Sequence, residues 1–160
     1  MRVPSRRGLW YNGGAMGDER RSADEPPDDA RPGRRQALNR RARRARILAR
    51  YGSRCVWCGR EVGIGLVPAT TEHVIPRMKG GPSWIENEVA ACRRCNGERG
   101  HLTLAEWAEE CRRRGWPVDI VTIVRTLEQL ERAIAVRGGQ RRARPYLASQ
   151  LRRLRNLCTD

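Results

Sequence analysis

The sequence predicts an α+β fold: a small metal-clamped core of short strands, an arginine-rich helix before it and further helices after it. Two Cys-x-x-Cys pairs, CVWC at 55–58 and CRRC at 92–95, bracket the middle of the chain. Strand and turn signals occupy residues 53–76, with glycine-containing bends and a β-branched run around His73. Helical spacing of apolar residues recurs outside that segment, as a thin stripe in 35–52 and more fully after 103. The expected organisation is a disordered tail over 1–34, a metal-bearing domain over 35–115 and a helical extension over 116–160.

The elements follow in order. The tail is rich in Arg, Asp, Pro and Gly and has little to bury. RQALNRRARRARILARYG, residues 35–52, reads as a helix with Leu38, Ala42, Ala45 and Leu48 as a thin apolar stripe and Gly52 as its end. Such a helix either lies solvated on the surface or lies along phosphates. KGGPS at 79–83 is a loop. Thr103 and Glu106 form a capping box, so LAEWAEECRRR is a helix that Gly115 closes. Residues 120–136 carry apolar side chains at 120, 123, 127, 130 and 134, and Gly138 ends that helix. A last helix begins near Pro145, with Leu147, Leu151 and Leu154 on one face.

Charge bears on the partner. There are 33 basic and 18 acidic residues, a net charge of +15, which favours a polyanion, nucleic acid first. All basic residues but Lys79 are arginine, however, and Ala, Gly and Pro are plentiful. A GC-rich genome gives the same skew without selection for binding, so both readings stay open. SRRGL at 5–9 resembles a twin-arginine export signal, but the segment after it is polar. No run reaches transmembrane length. A reducing cytoplasm and no membrane association are the expectations.

In that compartment, paired cysteines point to metal before disulfide. Cys55, Cys58, Cys92 and Cys95 offer four soft thiolates, the donor set of a closed tetrahedral zinc site. A redox pair is the alternative, but it sits beside a βαβ pattern that this chain lacks. Arg54, Arg60, Arg93 and Arg94 flank the pairs and offset the negative charge of four thiolates on one dication. A zinc with no open position holds the fold and does no chemistry. Cys111 and Cys158 stand apart.

Between the pairs, Glu72-His73, Val74-Ile75-Pro76, Gly80-Gly81, Asn87 and Cys92-x-x-Cys95-Asn96 succeed one another. Thirteen residues separate His73 from Asn87, and eight separate Asn87 from Asn96. In order and spacing this resembles the HNH endonuclease family, as does LTLAEW at 102–107, over about residues 44–110. The resemblance implies a ββα-metal (HNH) core in which two strands and a helix gather His73, Asn87 and Asn96 around one divalent ion. It implies a metal-dependent DNA endonuclease that hydrolyses phosphodiester bonds to 5′-phosphate and 3′-hydroxyl ends. His73 would be the general base, since a neutral imidazole accepts a proton near neutral pH. Asn87 would orient that ring or tie down the loop. Glu72 and Asn96 would ligate Mg²⁺ or Mn²⁺ through oxygen. The family more usually has Asp before the histidine; Glu reaches one methylene further. Arg99 would clamp a DNA phosphate. His101 reads as a surface residue, and Trp57, Trp84 and Trp107 as core packing.

Taken alone, TEHVIP at 71–76 fits a packed core histidine as well as a base. Two further classes stand beside the nuclease. One is a zinc-stabilised nucleic-acid-binding module without catalysis, which has no need of Glu-His, Asn and Asn in register. The other is an interaction protein using the C-terminal helices, through which the chain is a monomer or a dimer.

Overall fold

The computed structural model describes residues 38–63 and 67–159. The tail expected over 1–34 lies outside the described residues. Five helices and two strands follow one another: α1 (Arg40–Tyr51), β1 (Ala69–His73), β2 (Glu88–Cys92), α2 (Arg93–Arg99), α3 (Leu104–Arg113), α4 (Ile120–Arg137) and α5 (Ala143–Thr159). Short 3-10 turns at Arg77–Lys79 and Ile85–Asn87 shape the connection between the strands.

α1 starts later than its apolar spacing suggests. The Asn39 side chain accepts the Ala42 N–H at 2.8 Å, capping the helix and leaving Leu38 outside it. The buried face also differs. Ile47 is fully buried and Leu48 half-buried, whereas Ala42 and Ala45 are exposed. Alanine has too little apolar area to steer a helix, so the two branched side chains set its rotation.

The sheet is a single antiparallel pair. Ala69 faces Cys92, Thr71 faces Ala90, and His73 faces Glu88. Val74 and Ile75 were expected in the strand, yet β1 ends at His73. Pro76 lacks an N–H, and the next ladder positions are taken by Asn87 instead. The Val74 N–H donates to the Asn87 carbonyl at 2.9 Å, and the Ile75 N–H donates to Asn87 Oδ1 at 2.9 Å.

α3 carries the expected capping box, with reciprocal bonds between Thr103 and Glu106. Its buried Trp107 meets Trp57 and Trp116 edge to face, with ring centroids 6.4 and 6.1 Å apart. Trp84 is half-buried, under the Arg137 guanidinium at 4.5 Å.

α4 and α5 pack into the same core as the strands. Ile123, Leu127 and Leu130 on α4 meet Leu147, Leu151 and Leu154 on α5 within one buried cluster that includes Val74, Ile75 and Val89. The Gln150 side chain, also buried, accepts the Ala105 N–H at 3.1 Å and ties α5 to α3. The apolar stripes of the C-terminal helices are therefore used within this chain. Leu154→Ala should cost about 2–5 kcal/mol, the usual range for emptying a buried leucine site. Chemical denaturation checks this; an unchanged midpoint would mean that α5 is a detachable appendage.

Candidate active site and thiolate cluster

The two ends of the strand pair carry different chemistry. At one end, Cys92 closes β2 and Cys95 sits in the first turn of α2. The first knuckle folds beside them. Cys55 N–H bonds the Arg60 carbonyl at 2.8 Å, Gly59 N–H bonds the Cys55 carbonyl at 2.9 Å, and Gly59 takes φ +67° to make the turn. The Sγ atoms of Cys55, Cys58, Cys92 and Cys95 all lie within 4.8 Å of one another. Sulfurs on a tetrahedral zinc sit about 3.8 Å apart for Zn–S bonds of about 2.3 Å, so the donor set and spacing fit a metal ion. Electrostatics agrees. A hydrogen bond from Cys95 draws the Cys55 thiol down to about 4, and the ionised Cys55 then drives the Cys95 thiol far up. Four thiols this close cannot all ionise unless a cation offsets them.

About 13 Å away, at roughly 3.3 Å per strand residue, the other end holds His73 and Asn87, two of the expected catalytic residues. Asn87 is fully buried and makes the loop. Its Nδ2 donates to the carbonyls of Ile75 at 3.0 Å and Pro82 at 2.8 Å, and its Oδ1 accepts from Ile75. Of the two roles expected for it, these contacts serve the loop. Gly81 lies against this knot. A Cβ there would stand 1.9 Å from the Ile75 carbonyl oxygen and 2.9 Å from Asn87 Nδ2.

Asn96, on α2, turns its amide nitrogen toward β1, 3.2 Å from Thr70 Oγ1 and 3.4 Å from the Thr71 carbonyl. This leaves Oδ1 as the atom to meet an ion. Glu72 is placed differently from the expectation. It is 3% exposed, and both its carboxylate oxygens hold protein donors, Trp57 Nε1 at 2.5 Å and Arg99 Nη1. Burial pushes its carboxyl up, and Arg99 and Trp57 pull it back. As arranged, Glu72 does not fit an ion ligand, because a buried carboxylate needs its donors.

Arg99 likewise departs from the phosphate role. It is 5% exposed, and Nη1 also donates to the His73 carbonyl at 3.1 Å. Residue 99 stands one helical turn after Asn96, which would suit a surface clamp; Glu72 draws the guanidinium inward instead. His101 is exposed, as expected.

His73 leaves the hairpin on the face opposite Glu72, by strand alternation. Its side chain is one quarter exposed, and Nε2 lies 3.5 Å from Glu88 Oε1. Burial first, then the charges of Arg43, Arg77 and Arg99, holds its pKa below the ordinary imidazole value, so the ring is neutral at pH 7. Glu88 is fully buried and bonded by Arg43 of α1 at 2.6 Å. The sequence reading singled out neither Glu88 nor Arg43. The available signal was one acidic residue, Glu88, in the otherwise apolar run EVAAC.

The family model for HNH endonuclease matches residues 55–110. The CRISPR-associated endonuclease Cas9 of Corynebacterium diphtheriae is 31% identical over 67 residues, which cover 41% of this chain and 6% of that one. The crystal structure of the Type II-C Cas9 enzyme from Actinomyces naeslundii aligns with 23% identity and a TM-score of 0.44, covering 75% of this chain and 12% of that one. This chain thus spans a small part of the relatives it matches. Among the described residues, no helix is long and apolar enough to cross a membrane.

Two predictions follow from the geometry. Cys92→Ser should lose a tightly held metal and much of the fold, because β2 and α2 both end on that thiol; elemental analysis with circular dichroism checks it, and metal retained in full would contradict the cluster. Gly81→Ala should lower the denaturation midpoint sharply, whereas Gly97→Ala, with nothing within 4 Å of the new methyl, should raise stability by about 0.4–1 kcal/mol. Residues 55–110, which hold both ends of the strand pair, are the segment that matches the HNH endonuclease family model.

Proposed function

We propose that this chain is a metal-dependent endonuclease that hydrolyses phosphodiester bonds in DNA, with His73 as general base, acting in the cytoplasm. The observation that carries the reading is a neutral, partly exposed imidazole at the end of a strand pair whose other end is the four-cysteine cluster. Zinc is the ion that best suits four thiolates, and its role is to hold β2, α2 and the first knuckle together. The 35–115 segment supplies the nuclease elements, and 116–160 buttresses them.

The scissile phosphate sits at the His73 end of the hairpin. His73 takes a proton from the attacking water, whose oxygen forms a bond to phosphorus. The bond from phosphorus to the 3′ oxygen breaks, and that oxygen takes a proton to become a hydroxyl. Asn87 holds the loop that follows His73, so the ring keeps its place. Asn96 offers Oδ1 to Mg²⁺ or Mn²⁺, which when bound polarises the phosphate and stabilises the leaving oxygen. Arginines on α1, exposed at 40, 41, 44 and 46, suit the flanking phosphates.

Purified protein with supercoiled plasmid, with and without Mg²⁺ or Mn²⁺, tests the reading. His73→Ala should lose on the order of 10²–10⁴-fold in nicking, the usual size of a general-base contribution, while keeping its metal and its melting temperature. A stable and fully active His73→Ala protein would remove His73 from the chemistry. The engaged carboxylate of Glu72 favours the second reading, a nucleic-acid-binding module without catalysis. DNA bound by the native protein but never nicked, at any concentration of either ion, would select it.

A further inference from the structure

A carboxylate sits in a strand that is otherwise apolar. Glu88 begins β2, a strand whose five residues are all buried, and its side chain is 0% exposed. Val89, Ala90 and Ala91 fill the rest of that strand before Cys92. An isolated charge there would cost several kcal/mol, and replacing a whole buried ion pair by well-packed apolar residues is commonly neutral or stabilising. The pairing that offsets the cost is built from two other elements. Arg43 Nη1 of α1 donates to Glu88 Oε1 at 2.6 Å, and Arg43 Nη2 is itself fixed by the Ser83 carbonyl at 2.9 Å. The strand register sets His73 directly opposite. His73 Nε2 lies 3.5 Å from the same Oε1. His73 Nε2 and Glu88 Oε2 are among the buried side-chain atoms that make no hydrogen bond.

A neutral imidazole has one N–H and one bare nitrogen. A carboxylate only accepts. A bare Nε2 would set its lone pair against an anion in a buried site. An Nε2–H instead turns toward Oε1 as a second donor beside Arg43, and Nδ1 is then the bare nitrogen. We infer that Glu88, anchored by Arg43, is a positioning residue that holds His73 in the Nε2–H form with Nδ1 free to accept the proton of water. This rests on the reading of His73 as the base. The same carboxylate then faces the imidazolium that forms when the proton arrives, and stabilises it, as a buried carboxylate does behind other catalytic histidines.

Replacing Glu88 by glutamine reverses the instruction given to the ring. Arg43 still requires an acceptor and keeps the amide oxygen. The amide NH₂ then faces His73, where it needs a bare Nε2, so the proton moves to Nδ1. The chain has two histidines, His73 and His101, so ¹⁵N-histidine NMR at a pH where both are neutral resolves each tautomer. The native protein should show His73 with Nε2 protonated. Glu88→Gln should show Nδ1 protonated and a kcat for plasmid nicking lower by about 10–10²-fold, with KM nearly unchanged. Glu88→Leu combined with Arg43→Leu, which removes both charges and the acceptor, should lose activity similarly at near-native stability.

His73 protonated on Nδ1 in the native protein would overturn the inference, and that measurement needs no variant to fold. So would a folded Glu88→Gln protein with native kcat. An active His73→Ala protein would instead sink the general-base reading, while the tautomer of native His73 would still report on the contact with Glu88.

Discussion

Ala69 faces Cys92 and His73 faces Glu88 in one antiparallel ladder of five residue pairs. A slip of one residue would turn every side chain of a strand to the other face. Cys92 would leave the thiolate cluster, Glu88 would leave His73, and Val89 would trade its buried place for one at the other face. So short a ladder cannot hold its register by backbone hydrogen bonds alone. It is pinned at both ends, by the four thiols that meet around Cys92 and Cys95 and by Asn87, whose side chain takes over the bonds where β1 stops.

Between these pins, much of the specificity is polar. Glu72 accepts from Trp57 and Arg99, which joins the first knuckle, β1 and α2 through one carboxylate. Glu88 accepts from Arg43 and faces His73, which joins β2, α1 and β1. Each is a buried charge with a cationic partner, and removing either partner alone would leave an uncompensated ion. The two carboxylates lie on opposite faces of the same hairpin. One therefore sets where α2 sits and the other where α1 sits, while the apolar cluster of α3, α4 and α5 supplies most of the burial.

What was legible in the sequence was whatever depends on spacing. The knuckle pairs, the capping box of α3, the stripe of α4 and the proline in the first turn of α5 each rest on local rules, and each appears in the structure. α1 was misjudged because its stripe was read from alanines, whereas Ile47 and Leu48 carry the apolar area. Arg99 and Glu72 could not be read locally at all. Each is a polar residue at a position suited to a ligand, and whether it faces solvent or its counterpart depends on how α2 lies against β1. The pair lies 27 positions apart, so no periodicity links them. Arg43 and Glu88 are 45 residues apart, and only the packing of α1 on β2 brings them together.

α1 lies outside the segment that matches the HNH family, yet it touches the candidate base through one carboxylate. Its arginines also divide by face. Arg43 points inward to Glu88 and Ser83, and its neighbours at 40, 41, 44 and 46 are exposed. One short helix therefore carries a fixed internal charge and a row of external ones. Through that internal charge the helix reaches the carboxylate that faces His73. The path is a hydrogen bond from Arg43 to Glu88 and a 3.5 Å approach from Glu88 to the imidazole, and it lies at the opposite end of the ladder from the thiolate cluster.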